Sequence, residues 1–344
     1  MYVESFTRAK DPGRPDLNED RAVVYADRTF AVIDGVTDKS GQRYDGLTGG
    51  VLAGMALEAR LRELTDDGTL VEAPAEVVVA RLNAAIAYAY ERYGIARHAA
   101  EDPTARFAAA LVVAHFGAAG LRLIGVGDCG ARLDGRVVVA GRNVLDGALG
   151  VLRREAFAAL AELEPEATLE RRLEVARAYT VHGLGGPPPG TDVAPRVHAA
   201  IAARARAAME PAMAAWPADV ADAVAAGGLR AVSALRRTDA SGTSRLGRAG
   251  LDVGVLDGFP LSPTLISDQR RGHGEFATLE LYSDGYFGYP DDHGRVAHWE
   301  AHHRHVERTD PHRIGAFAST KGSHGDRSAD DRTVLIVRKE PPGA

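Results

Sequence analysis

Apolar residues fall into short unbroken runs towards both ends of this chain and into three-and-four spacing through its middle. Short runs suit strands buried on both faces, and the longer spacing suits helices with one buried face. Two of the runs stop abruptly in an acid and a glycine: Ala31-Val32-Ile33-Asp34-Gly35 and Leu279-Glu280-Leu281-Tyr282-Ser283-Asp284-Gly285. A buried strand that ends this way delivers its carboxylate to the rim of a sheet, and the glycine lets backbone approach whatever the acid holds. In chain order the pattern predicts an edge strand over 2–8 and a loop broken by Pro12, Gly13 and Pro15. A hairpin of 21–26 with 29–33 about Asp27-Arg28 comes next. Helices follow over 47–64 and 74–93, then strands over 107–116 and 121–126, and a second hairpin of 131–133 with 137–140 about Asp134-Gly135.

Residues 141–250 carry a different pattern. Helices are expected over 153–163, 169–178, 197–208 and 218–226, with a long loop at Gly183–Gly190 and loop-like sequence over 241–250. No period is evident, so the region reads as a helical insertion in one domain spanning 1–344, not as a repeat array. Its Ala-rich helices suit a structural flap or a partner-binding face better than a cofactor box. Strands over 251–256, 277–283 and 333–338, a helix over 298–308 and a polar loop over 320–329 complete the chain. Antiparallel strands at both ends with helices between them give an α+β class: two sheets flanked by helices.

Composition narrows the function. With 344 residues, 45% of them hydrophobic, the chain can bury a large core, and a net charge of −6 argues against a nucleic-acid or membrane-surface role. The one cysteine, Cys129, excludes an intramolecular disulfide and is compatible with a reducing cytoplasm, the expected location. The start is not a signal peptide, and the longest apolar runs, such as 108–114, are too short to span a bilayer. Four acids stand beside expected strands: Asp20, Asp34, Asp284 and Asp330. An all-oxygen donor set without thiolates points to hard divalent cations, Mg²⁺ or Mn²⁺.

Asn18-Glu19-Asp20, Val32-Ile33-Asp34-Gly35, Gly127-Asp128, Ser283-Asp284-Gly285 and Asp330-Asp331-Arg332-Thr333 occur in this order. The set resembles the metal-dependent protein phosphatases of type 2C, over roughly residues 1–135 and 250–340. Any one Asp-Gly step is ordinary turn chemistry. Five acidic turns in one family's order are not accounted for that way. The resemblance implies a β-sandwich of two antiparallel sheets with helices on both outer faces, and a metal site in a cleft at one end. It implies that Asp34 bridges two metals, Gly35 lends its carbonyl, Asp284 and Asp330 hold one metal, and Asp20 acts mainly through waters. Asp128 with Asp284 would hold a third, weaker ion. The activity implied is hydrolysis of phosphoserine or phosphothreonine in proteins by a hydroxide between the two metals, with Asp34 and Asp284 central to catalysis. Two cations would neutralise a phosphate dianion and lower the pKa of the bridging water.

Arg14 is the candidate phosphate clamp, since a guanidinium offers paired donors to phosphate oxygens. It stands one residue further from the Glu-Asp pair than the resemblance expects, and Arg8 and Lys10 are rivals. After Asp34-Gly35 the chain reads Val36-Thr37-Asp38-Lys39-Ser40-Gly41, which offers no histidine acid, so leaving-group protonation would fall to water. Cys129 reads as a small buried residue rather than a nucleophile. Residue 331 is Asp where the family commonly carries Asn, which adds negative charge. His298, His302, His303 and His305 cluster on one expected helix, and a polar helix face accounts for them better than a zinc site. Two further readings remain open. One is a phosphatase-like regulatory or binding module with little turnover, with a regulatory partner at 141–250. The other is a phosphatase of a small phosphorylated metabolite.

Overall fold

The computed structural model describes residues 1–36, 41–140, 143–236, 244–252 and 254–339. The elements in order are β1 (Tyr2–Arg8), β2 (Arg21–Tyr25), β3 (Thr29–Gly35), α1 (Gly49–Asp66), α2 (Thr69–Glu72), α3 (Ala75–Arg92) and α4 (Ala96–Glu101). Then come β4 (Ala109–Gly117), β5 (Gly120–Val126), β6 (Gly130–Leu133), β7 (Arg136–Val139) and five helices. These are α5 (Val144–Leu163), α6 (Leu169–His182), α7 (Pro195–Met213), α8 (Ala218–Leu235) and α9 (Arg245–Arg248). The chain closes with β8 (Ser267–Arg271), β9 (Thr278–Tyr282), α10 (Val296–Thr309) and β10 (Arg332–Arg338).

The strands make two five-stranded antiparallel sheets, ordered β1-β10-β9-β6-β7 and β2-β3-β4-β5-β8. In β3 alternate residues serve two different cores, as a pleat requires. Phe30 and Val32 face inward and pack with Ala131, Leu279, Leu281 and Leu335 of the other sheet, closing a sandwich. Ala31 and Ile33 face outward and pack with Leu57, Leu61, Val78 and Leu82 of α1 and α3. Both faces of β3 are therefore buried, which is why its sequence is an unbroken apolar run. The outer face of the first sheet packs Tyr282, Val334 and Ile336 against Trp299 of α10. The α+β sandwich with helices on both outer faces is thus the architecture of this part of the chain.

The chain divides into two compact units: 1–142, 253–304 and 326–344 form one, and 143–252 with 305–325 form the other. The second unit is helical and has its own core, including Leu149, Leu152, Tyr179, Ile201, Met209 and Val224. A close crossing lies between the end of α6 and the kink at Gly228 in the middle of α8. A Cβ at Gly228 (φ +56) would lie 2.4 Å from the Thr180 carbonyl oxygen, and one at Gly183 (φ +71) would lie 2.4 Å from the Ala226 backbone. Glycine at both positions is what lets these backbones approach.

Two local expectations are corrected. The strand expected over 251–256 is absent among its described residues: Leu256 makes a single bridge to Ala109, and the backbone turns at Gly254 (φ +67). The edge of that sheet is instead β8, Ser-Asp-Gln-Arg-Arg, whose polar sequence carries no apolar signal. It is held by ladder pairing to β5 and by Arg122, which grips Asp268 through two bonds of 3.0 and 2.8 Å. Within the loop expected over 241–250, residues 241–243 lie outside the described residues and α9 occupies 245–248.

Candidate metal centre

Antiparallel pairing brings the acids together. β2 begins where β3 ends, because Arg21 pairs with Ile33, so Asp20 lies beside the Asp34 end of β3. In the other sheet Val334 pairs with Tyr282, so the start of β10, preceded by Asp330, lies beside the end of β9, followed by Asp284. Gly130 of β6 also pairs with Tyr282, which brings the β5–β6 turn carrying Asp128 to the same end. Carboxylate oxygens of Asp128 and Asp284 lie within 4.8 Å of each other.

Two glycines set the approach. A Cβ on Gly35 would lie 2.6 Å from the Gly50 carbonyl oxygen, and one on Gly285 would lie 1.8 Å from that of Asp331. The Gly35 N–H donates to the Glu19 carbonyl at 3.2 Å, fixing the end of β3 against the start of β2. Ser283 ties the two sheets together. Its hydroxyl donates to Asp20 Oδ2 at 2.6 Å and accepts from the Thr333 N–H at 2.9 Å. This leaves Asp20 Oδ1 buried without a hydrogen-bond partner.

Electrostatics set this cluster apart from the other acids. The Asp34 carboxyl is held well above its ordinary value, first by loss of water and then by Asp20, Asp284, Asp128 and Asp330. Asp20 is pushed up as well, first by burial, against the opposing Ser283 bond, and then by Asp331 and Asp330. Acids crowded and desolvated in this way favour a cation among them. The orphaned Asp20 oxygen and the all-oxygen donors fit a hard divalent ion. Cys129 is fully buried, and burial followed by Asp34 and Asp128 pushes its thiol up, so it is a small core residue and not a thiolate.

These shifts have a sign in stability. A carboxyl whose folded pKa is raised holds its proton more tightly folded than unfolded, so stability falls as pH rises above 3.8 towards the folded value. In chelator, wild-type melting temperature should therefore drop relative to Asp34→Asn over that rise, and Mn²⁺ should close the gap. Parallel curves in scanning fluorimetry would count against repulsion at Asp34.

Arg14 lies in the turn before Asn18. Its side chain is 54% exposed and is engaged by Asp16 through bonds of 3.1 and 2.9 Å. Residues 37–40, where no histidine acid was expected, lie outside the described residues. The histidines disperse among separate partners. His298 Nδ1 meets the His293 carbonyl at 3.1 Å, His302 Nε2 meets that of Phe287 at 2.9 Å, and His303 packs edge-on to Tyr286. The supporting role of Glu19 is not visible in its own motif. Glu19 is buried and accepts the Thr48 hydroxyl at 2.7 Å, while Thr48 also caps α1 through the Val51 N–H at 3.1 Å. The visible signal was Thr48 standing before a helical run, a cap position.

No family model and no curated protein matches this chain. Among solved structures it is similar to bacterial serine/threonine phosphatases. The Stp1 phosphatase from Staphylococcus aureus is 11% identical with a TM-score of 0.47, over 99% of this chain and 96% of that one. The PstP/Ppp phosphatase of Mycobacterium tuberculosis is 16% identical with a TM-score of 0.41, over 99% of this chain and 99% of that one. A PstP catalytic domain in complex with 2 manganese ions is 16% identical with a TM-score of 0.43, over 97% of this chain and 96% of that one. No described helix is long and apolar enough to cross a membrane.

Proposed function

We propose that this chain is a metal-dependent phosphoprotein phosphatase that hydrolyses phosphoserine or phosphothreonine esters, with Mg²⁺ or Mn²⁺ as its cations. The observation that supports this most is the meeting of Asp20, Asp34, Asp284 and Asp330 at strand ends that pair side by side, with Asp34 and Asp20 pushed towards protonation. Asp34 would be shared by two cations with the Gly35 carbonyl beside it, and Asp284 and Asp330 would hold one of them. Asp20 would act mainly through waters, and Asp128 with Asp284 would take a third, weaker ion. Bound there, the cations would cancel the charge of a phosphate dianion and acidify a water.

The chain's own residues supply the rest. Ser283 engages Asp20 through Oδ2 and leaves Oδ1 without a partner, where it would serve a cation or its waters. Arg14 would exchange Asp16 for phosphate oxygens, which its paired donors also match. The whole chain would act as one phosphatase-like domain, with 141–250 as a helical insertion that serves as a flap or as the face for a regulatory partner. A cytoplasmic setting goes with this reading.

The test is hydrolysis of an aryl phosphate, a phosphoserine/phosphothreonine peptide panel and a phosphorylated-metabolite panel by the purified full chain, with Mn²⁺ and with chelator. Mn²⁺-dependent turnover that prefers peptides supports the proposal, and preference for metabolites overturns its substrate class. A second reading, a phosphatase-like module without turnover, is favoured by the engagement of Arg14 with Asp16. Mn²⁺ binding by calorimetry without hydrolysis of any panel member would establish it instead.

A further inference from the structure

A lysine lies inside the acidic ring. Lys10 follows β1, and its backbone N–H donates to Asp331 Oδ1 at 2.6 Å. Its Nζ donates to Glu19 Oε2 at 2.9 Å and to Asp331 Oδ2 at 3.4 Å, and lies 3.7 Å from Asp330 Oδ1. Asp331 Oδ2 also accepts the Glu19 N–H at 3.1 Å, and Glu19 Oε1 accepts the Thr48 hydroxyl. Glu19 and Asp331 are 1% and 3% exposed, so their carboxylates are buried with donors of the chain on every oxygen. Asp20 differs, since its Oδ1 has no partner. The ring therefore holds Glu19 and Asp331, whose every oxygen the chain itself satisfies, and Asp20, which keeps one oxygen over.

We infer that Lys10 is a resident counter-cation of the metal centre. It makes struts of Glu19 and Asp331, keeps divalent ions off them, and weakens the grip of Asp330 on its ion. This rests on the metal-centre reading above. Lys10 is a positioning residue here: its ammonium repels an incoming cation and its bonds hold the β1, β2 and β10 ends in register. The extra charge of Asp331 is thereby matched inside the protein instead of being offered to a metal. One unit charge a few ångströms from a divalent ion is worth about tenfold or more in affinity, even with strong solvent screening.

The test is Mn²⁺ titration calorimetry on the full-length chain, with melting temperature in chelator as the control for folding. Lys10→Met keeps the apolar stem and should tighten Mn²⁺ binding by about tenfold or add a further equivalent, while Lys10→Arg stays near wild type. Asp331→Asn leaves the ammonium under-compensated and should weaken Mn²⁺ binding, and the double variant should return towards wild type. Lys10→Met within twofold of wild type, or weaker, while melting normally, overturns the inference. Should Lys10→Met not fold, unchanged or tighter binding by Asp331→Asn overturns it. A wild-type chain that takes up no Mn²⁺ sinks the metal-centre reading itself, an outcome distinct from equal binding by wild type and Lys10→Met.

Discussion

Replacing Asp34 or Asp284 by alanine is expected to lower Mn²⁺-dependent phosphate ester hydrolysis by at least about 10³-fold while the protein stays folded. Each is the last acid of a strand-end motif, and Asp284 contributes to the field that pushes Asp34 towards protonation. Neither substitution removes a large apolar side chain, so no cavity opens in the sandwich. Relief of repulsion should leave the chelated variants as stable as wild type or more so, because a crowded, desolvated acid costs folding free energy. The check pairs steady-state hydrolysis with melting temperature in chelator. Activity retained in both variants would refute the catalytic role. Lost activity with a collapsed melting transition would show that these acids serve the fold.

The second large effect concerns stability. Glu280 and Arg132 are 0% and 3% exposed, and their Oε2 and Nε atoms lie 3.3 Å apart. Glu280 Oε1 also accepts from the Trp299 indole at 3.0 Å and from the Gly294 N–H at 2.9 Å. The Arg132 guanidinium lies 5.5 Å from the ring centres of both Tyr289 and Trp299. Glu280→Ala would strand a buried cation, an indole donor and a backbone donor, so a loss of about 3–5 kcal/mol is expected. Glu280→Gln keeps one acceptor in place and should lose less. Denaturant midpoints measure both, and a loss under about 1 kcal/mol for alanine would mean the guanidinium finds other partners at no cost.

Legibility followed locality. Helix α3 announces itself through Val78, Val79, Leu82, Ala85 and Ile86, all buried, and all but Ala85 join the core that also takes in Ala31 and Ile33, so its apolar spacing and its packing agree. Helix α5 begins at Val144 with Asn143 as cap, well before the stretch that spacing suggested, because Gly147 and Gly150 dilute the pattern there. Gly150 is required by contact: a Cβ there would lie 2.8 Å from the Ala318 carbonyl oxygen, a partner distant in sequence. Strand β8 was invisible for the opposite reason. Its stability comes from the ladder with β5 and from Arg122, neither of which is written in its own five residues.

The amino-acid order alone determined that acids stand at the ends of apolar runs, that glycines follow Asp34 and Asp284, and that the strands belong to an antiparallel α+β fold. These are local properties, decided by side-chain alternation and backbone freedom within a few residues. Only the folded chain decided that Glu19 and Asp331 are satisfied on every oxygen while Asp20 keeps one without a partner. That division depends on Ser283 reaching Asp20, Thr48 reaching Glu19 and Lys10 reaching Asp331. Each bond joins segments far apart in the chain, and its strength depends on the water excluded when they meet.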